Sequence, residues 1–198
     1  INQSVQVLND GFRQTGISFN LIGWEYHQHG DYANARRPMD MKGWLRYGDY
    51  KTMNVYSLKR LQGKWLMGDT YFPTDLHRAP SGSRYYIADG IMIMADTLAG
   101  GTYKDYSKGV NLIHEAGHWF GLYHTFEGGC ASQPNDFVAD TPPSNGPNWK
   151  CDESRHTCGD QPEHDAIHNY MDYSPDECKW EFTPGQIDRM RLQYAVYR

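Results

Sequence analysis

Long apolar runs are missing from this chain. No stretch approaches the ~18 consecutive apolar residues that a membrane span needs, so the chain is expected to be soluble. A basic excess is missing too. The 24 acidic residues outnumber the 19 basic ones, for a net charge of −5. A nucleic-acid or anionic-lipid surface would show the opposite balance. Internal repeats and low-complexity tracts are absent, as is any basic or apolar leader after Ile1. Cysteine is scarce, with four in 198 residues, and no two of them form a C-x-x-C pair. An all-cysteine zinc site normally shows such pairs. Four unrelated buried thiols are the bland alternative. Two disulfides in an oxidising compartment are the favoured reading, which implies secretion and a removed leader. Asn2-Gln3-Ser4 is a lone N-glycosylation triplet, weak evidence by itself.

Aromatics, by contrast, are plentiful, with 15 Tyr and 6 Trp. Together with the length they favour one folded domain, 1–198, with a real core. Val5, Leu8 and Phe12 recur at helical spacing, so Ser4 to about Gln14 reads as an amphipathic helix stopped by Gly16. Strand candidates are Ile17–Leu21, Met53–Leu58, Leu66–Phe72 and Gly90–Met94. A helix is expected from Ser107, as N-cap, to Phe120, with Gly121 beyond it. Residues 125–168 are dense in Gly, Pro, Asn and Asp and lack periodicity. So long an irregular stretch needs explaining, and cross-links through its cysteines would do what a core cannot. Thr183-Pro184-Gly185-Gln186 is a capping box that opens a last helix, with Ile187, Met190, Leu192 and Tyr194 as its apolar face.

The chemistry centres on His114-Glu115-Ala116-Gly117-His118-Trp119-Phe120-Gly121-Leu122-Tyr123-His124. His114 and His118 lie at i and i+4 on one helix face. Two imidazoles there can reach one zinc ion at about 2.0–2.1 Å from each nitrogen. Glu115 lies about 100° around the helix and does not compete as a ligand. Gly121 can turn the chain through a left-handed conformation and bring His124 back as a third ligand. Three neutral histidines leave the ion its full charge and an open position. Glu115 is then placed to take a proton from water activated there. Chance assembly of all five fixed letters in this composition is very improbable.

This H-E-x-x-H-x-x-G-x-x-H pattern resembles the metzincin zinc endopeptidases. Asn169-Tyr170-Met171-Asp172-Tyr173 is similar to their Met-turn. The wording of His124–Cys130, Val138–Pro142, Asn169–Ser174 and Phe182–Gln186 resembles the pappalysin family, and His118–Phe126 its secreted fungal branch. The resemblance implies His114, His118 and His124 as zinc ligands and Glu115 as general base and acid. It also implies Met171 as an apolar floor beneath the metal and Tyr173 as an oxyanion donor. It pairs Cys130 with Cys158 and Cys151 with Cys178. Asp136, Asp140 and Thr141 match a region where some members bind calcium, an ion that prefers such hard oxygens. The resemblance also implies that the segment after the Met-turn, Ser174 to Trp180, walls the pocket for the residue after the cut. Some members carry an acid near this wall and prefer a basic residue. Lys179 departs from that arrangement, while Asp176 and Glu177 keep it open.

The expected fold is therefore α+β and metzincin-like. A twisted mixed sheet, mostly parallel, with backing and active-site helices would occupy residues 1–121. An irregular, disulfide-linked part ending in a helix would occupy 122–198. The cleft would lie between the two parts, with Leu66–Phe72 as an antiparallel edge strand that binds extended substrate. The expected activity is that of a secreted, monomeric zinc endopeptidase acting on proteins or peptides. The alternative is a non-catalytic, zinc-stabilised binding or toxin-like module, which would not need Glu115. His27 and His29 share one side of an extended segment, but nothing completes a site there. His164 and His168 invite a second metal, though His168 is better read as a structural hydrogen-bonding group. Trp44, Trp65, Trp119 and Trp180 read as core and cleft wall.

Overall fold

The computed structural model describes residues 1–63, 66–76, 79–130, 136–159 and 162–198. Trp65 falls outside them. The first helix, α1 (Asn2–Gly11), buries Leu8 and is followed by a 3₁₀ turn at Arg13–Thr15. Gly16, at φ +73°, ends this region as expected. Ile17–Leu21 is not a strand, however. The Phe19 N–H donates to the Asn9 side-chain oxygen (2.8 Å), and Asn9 Nδ2 donates back to the Phe19 carbonyl (3.0 Å). A side chain on α1 thus satisfies this backbone in place of a neighbouring strand. The Phe19 ring packs edge-on against Phe12, 5.0 Å between centroids.

Two helices, α2 (Gly30–Ala33) and α3 (Pro38–Leu45), precede β1 (Val55–Leu58). Then come β2 (Gly68–Thr70), α4 (Pro73–Leu76), α5 (Arg84–Ala88) and β3 (Ile91–Met94). β3 lies in the middle, parallel to β1 and antiparallel to β2. The sheet is mixed, but not mostly parallel, since it has one pairing of each kind. β2 is shorter than Leu66–Phe72 because Pro73 starts a helix instead of continuing the ladder. It remains the antiparallel edge strand.

Next in the chain is α6 (Val110–Trp119), buried along its whole length. It packs against α1 and against the β2–β3 side of the sheet. It starts after Gly109, not at Ser107. Gly109 has φ +88°, and the Asp176 carboxylate accepts the preceding Lys108 N–H (2.8 Å). The core around α6 contains Phe12, Ile91, Ile93, Ile113, Ala116, Trp119 and Met190. At its far end, buried Asp89 accepts from Trp119 Nε1 (3.1 Å), Arg46 (3.2 Å) and Arg198 (2.8 Å).

From 125 to 168 the described residues form neither helix nor strand. The two disulfides join Cys130 to Cys158 and Cys151 to Cys178, the pairing implied by the resemblance. The last helix, α7 (Pro184–Tyr197), begins with the expected capping box. Its apolar face is narrower than expected, because Leu192 is 62% exposed whereas Met190 is fully buried. Gln186 is buried as well. Its Oε1 accepts from Asn169 Nδ2 (2.7 Å) and the Thr183 N–H (3.0 Å), and its Nε2 donates to Asn169 Oδ1 (3.0 Å).

Two outcomes follow. Gln186→Ala removes three hydrogen bonds from a buried site, so urea denaturation should show a loss of about 3 kcal/mol. Reduction of both disulfides should raise amide exchange across 125–180 before the β1–β3 pairing opens. Uniform loss of protection across the chain would contradict this.

Candidate metal and catalytic site

His114 and His118 project from one face of α6 because they are four residues apart. Gly121, at φ +90°, reverses the chain beyond the helix and returns His124 to the same place. The three ligand nitrogens lie within 4.8 Å of one another. His118 Nε2 is 3.1 Å from both His114 Nε2 and His124 Nε2.

The tautomers decide what this convergence means. His114 Nδ1 lies 2.7 Å from the Tyr170 carbonyl oxygen, and His118 Nδ1 lies 2.7 Å from that of Leu122. A carbonyl only accepts, so each Nδ1 carries the hydrogen and each Nε2 presents a bare lone pair. Two such lone pairs at 3.1 Å are not hydrogen-bonded to each other. Burial also keeps the rings neutral. It holds His114 well below the ordinary histidine value and takes His118 to about 4 and His124 to about 3. Two inward lone pairs fixed in this way, with the neutral His124 ring beside them, fit a zinc ion, which takes neutral imidazoles in tetrahedral geometry.

Glu115 points instead toward the edge strand. Thr70 Oγ1 donates to Glu115 Oε2 at 2.6 Å. A Cβ on Gly68 would sit 2.0 Å from Glu115 Oε1, so only glycine leaves this seat open. Burial pushes the carboxyl up to about 8, with the Thr70 hydrogen bond acting in the opposite direction. Met171 is fully buried. A Cβ on Gly117 would meet its sulfur at 2.4 Å, so Gly117 makes the room that Met171 fills.

Tyr173 packs near the centre, its ring centroid 4.8 Å from that of His124 and 5.7 Å from that of His114. Burial raises its hydroxyl to about 12, so it stays a proton donor. Lys179 lines the same cleft, 7% exposed, and burial lowers its ammonium to about 8. The cleft has a volume of about 340 Å³. β2 and Phe72 line one side. Tyr106, Trp149, Asp172 and Tyr173 line others.

The remaining sequence candidates lie elsewhere. Asp140 binds the start of α7, accepting from Thr183 Oγ1 (2.7 Å) and the Gly185 N–H (2.9 Å). Asp136 accepts the Val138 N–H (3.0 Å) and is buried, as is Thr141. His27 contacts Glu25, and the His29 side chain caps α2. His168 Nδ1 bonds the Cys178 carbonyl (2.8 Å) and its ring stacks on Trp180 at 3.7 Å. Trp44 and Trp180 are 60% and 54% exposed and are not core, whereas Trp119 is buried. Gly68 and Thr70 enter the sequence reading only as members of the Leu66–Phe72 strand, and Tyr106 and Trp149 have no place in it. An isolated glycine within a strand does signal close approach of another group, and Gly68 carries that signal. The other three are found only through the fold.

Comparison with known proteins gives a consistent picture. A family model described as Pregnancy-associated plasma protein-A, Peptidase_M43, matches residues 43–195. An extracellular metalloprotease of Colletotrichum graminicola is 43% identical over 198 residues, all of this chain and 69% of that protein. One of Sordaria macrospora is 44% identical, again over the whole chain and 67% of the relative. This chain thus spans about two thirds of their length. Among solved structures, mature mirolysin of Tannerella forsythia, in complex with a cleaved peptide, superposes with a TM-score of 0.71. It shares 25% identity, with 96% of this chain and 82% of that one covered. The expected α+β, metzincin-like fold agrees with that likeness. A family match over most of the length, together with three metal-ready histidines in one cleft, shows that this chain belongs to the Peptidase_M43 family of zinc metallopeptidases.

Proposed function

We propose that this chain is an extracellular zinc endopeptidase in which Glu115 carries the proton between water and the leaving amine. The observation that supports this most directly is the convergence of three neutral histidines, two of them with Nε2 lone pairs turned inward, beside buried Glu115 in one open cleft. His114, His118 and His124 would hold the ion. Zinc there supplies Lewis acidity toward a carbonyl oxygen and lowers the pKa of water.

The chain's own groups do the rest. Asn111 Nδ2 bonds the Met67 carbonyl (3.2 Å) and ties the edge strand to α6. Extended substrate adds to that edge through backbone hydrogen bonds and lays a peptide carbonyl near the histidines. Glu115, with its raised proton affinity, accepts a proton from attacking water and returns it to the departing nitrogen. Tyr173, neutral and beside His124, donates to the oxygen that gains charge. Thr70 and Gly68 position Glu115. Lys179 forms part of the wall for the substrate side chain next to the cut. The reading extends to calcium in a narrowed form. Asp136 and Thr141 are buried and their side chains meet, and such hard oxygens suit that ion.

Glu115→Gln should keep one equivalent of zinc by metal analysis and lose casein cleavage by about 10³-fold. A Gln variant that still cleaves casein would remove Glu115 from the mechanism. Thr70→Val keeps the side-chain shape but takes away the hydroxyl. Its kcat should fall by about tenfold with KM little changed, and Thr70→Ser should restore it.

A further inference from the structure

Lys179 stands out among the groups that line the cleft. It is 7% exposed, yet among the described residues its Nζ donates no hydrogen bond and meets no carboxylate oxygen within 4 Å. A buried ammonium normally has such partners, because losing water costs several kcal/mol unless they replace it. The acids that face it mostly hold other donors, although Asp176 Oδ1 is buried with no hydrogen-bond partner among the described residues. Asp172 accepts the N–H groups of Asn148 (3.2 Å) and Ser174 (3.3 Å). Asp176 Oδ2 accepts that of Lys108, and Glu115 is held by Thr70. Neutral His114 also faces it. The nearest aromatic face is Tyr106, with its centroid 5.9 Å from Nζ.

The backbone beneath the side chain is firmly held. Lys179 follows the 3₁₀ turn Asp176–Cys178, which the Cys151–Cys178 disulfide anchors. On its other side the Trp180 N–H bonds the His168 carbonyl (2.9 Å). The ammonium is therefore presented to the cleft on a fixed support, with its donors unspent.

We propose that Lys179 is the anchor of a carboxylate-binding pocket beside the catalytic centre, so that the enzyme selects an acidic group next to the scissile bond. This rests on the reading of Lys179 as a cleft wall. A substrate carboxylate would complete the ammonium with charge-assisted hydrogen bonds, which are stronger than neutral ones. An amide of the same shape offers the ammonium only the weaker, neutral kind of hydrogen bond. Two sources supply this chemistry: an Asp or Glu side chain, or the free C-terminal carboxylate of a short peptide.

Matched peptides separate them. The zinc-loaded enzyme is given peptides with Glu or Gln on either side of the bond that is cut, each with an amidated C-terminus. A second set ends in a free acid or an amide one residue beyond the cut. A Glu/Gln ratio in kcat/KM of roughly 10–100 is expected on one side of the bond. Preference only for the free-acid ends would assign the pocket to a C-terminal carboxylate. Lys179→Gln should bring the ratio close to one, and Lys179→Glu should turn the preference toward Lys and Arg. Lys179→Arg should retain it and guard against misfolding of the other variants. Cleavage by the wild type with no preference for acid in either set overturns the pocket. Unchanged kinetics of Lys179→Gln on every peptide overturns the wall reading as well. Failure of the wild type to cut any peptide or casein would instead count against the peptidase reading itself.

Discussion

Two carbonyl oxygens govern this molecule's chemistry. The Tyr170 and Leu122 carbonyls each take the Nδ1 hydrogen of a buried histidine and so force the opposite nitrogen to point inward without a proton. Once His124 joins them, three ring nitrogens lie within 4.8 Å of one another in the cleft. That arrangement is unfavourable for a protein alone and favourable around a cation, since the mutual repulsion becomes ligation. Leu122 belongs to the turn that leaves α6, so one of these bonds is local. Tyr170 is 56 residues from His114, and this second bond requires the rest of the C-terminal part to be in place.

That requirement explains architecture far from the metal. The Thr183–Gln186 capping box starts α7, and the same Gln186 side chain pairs with Asn169. Asn169 Oδ1 in turn accepts the Met171 N–H, which shapes the turn that presents the Tyr170 carbonyl. Met171 enters the space vacated at Gly117 on α6. A helix cap, an amide pair and a glycine thus set the orientation of His114, a candidate metal ligand. The disulfides act on the same region. Cys178 fixes the stretch that carries Lys179, and Cys130–Cys158 ties down a segment with no helix or strand to hold it.

How much was legible depended on the range of the contact involved. His114, Glu115 and His118 could be placed from helical periodicity, and His124 from the freedom of Gly121, because the geometry spans only eleven residues. The capping box was legible for the same reason. Ile17–Leu21 looked like a strand because alternation records which side chains are apolar, not which group satisfies the backbone. Here that group is Asn9, on α1. Ser107 looked like a cap, yet the helix start was settled by Asp176, 68 residues away, reaching Lys108. Trp44 and Trp180 looked like core because tryptophan usually is, but each is more than half exposed.

The sequence by itself determined the face that gathers the histidines, the candidate for the proton carrier and the place where cross-links were needed. These follow from local spacing and from residue chemistry. The tertiary structure decided which tautomers the histidines hold, how Glu115 is seated by Gly68 and Thr70, and that Lys179 faces the cleft with its donors unspent. Each of these joins residues from distant parts of the chain. Periodicity carries no record of such meetings. They arise only when the edge strand, α6 and the turn after Asn169 pack against one another and exclude water from the space between them.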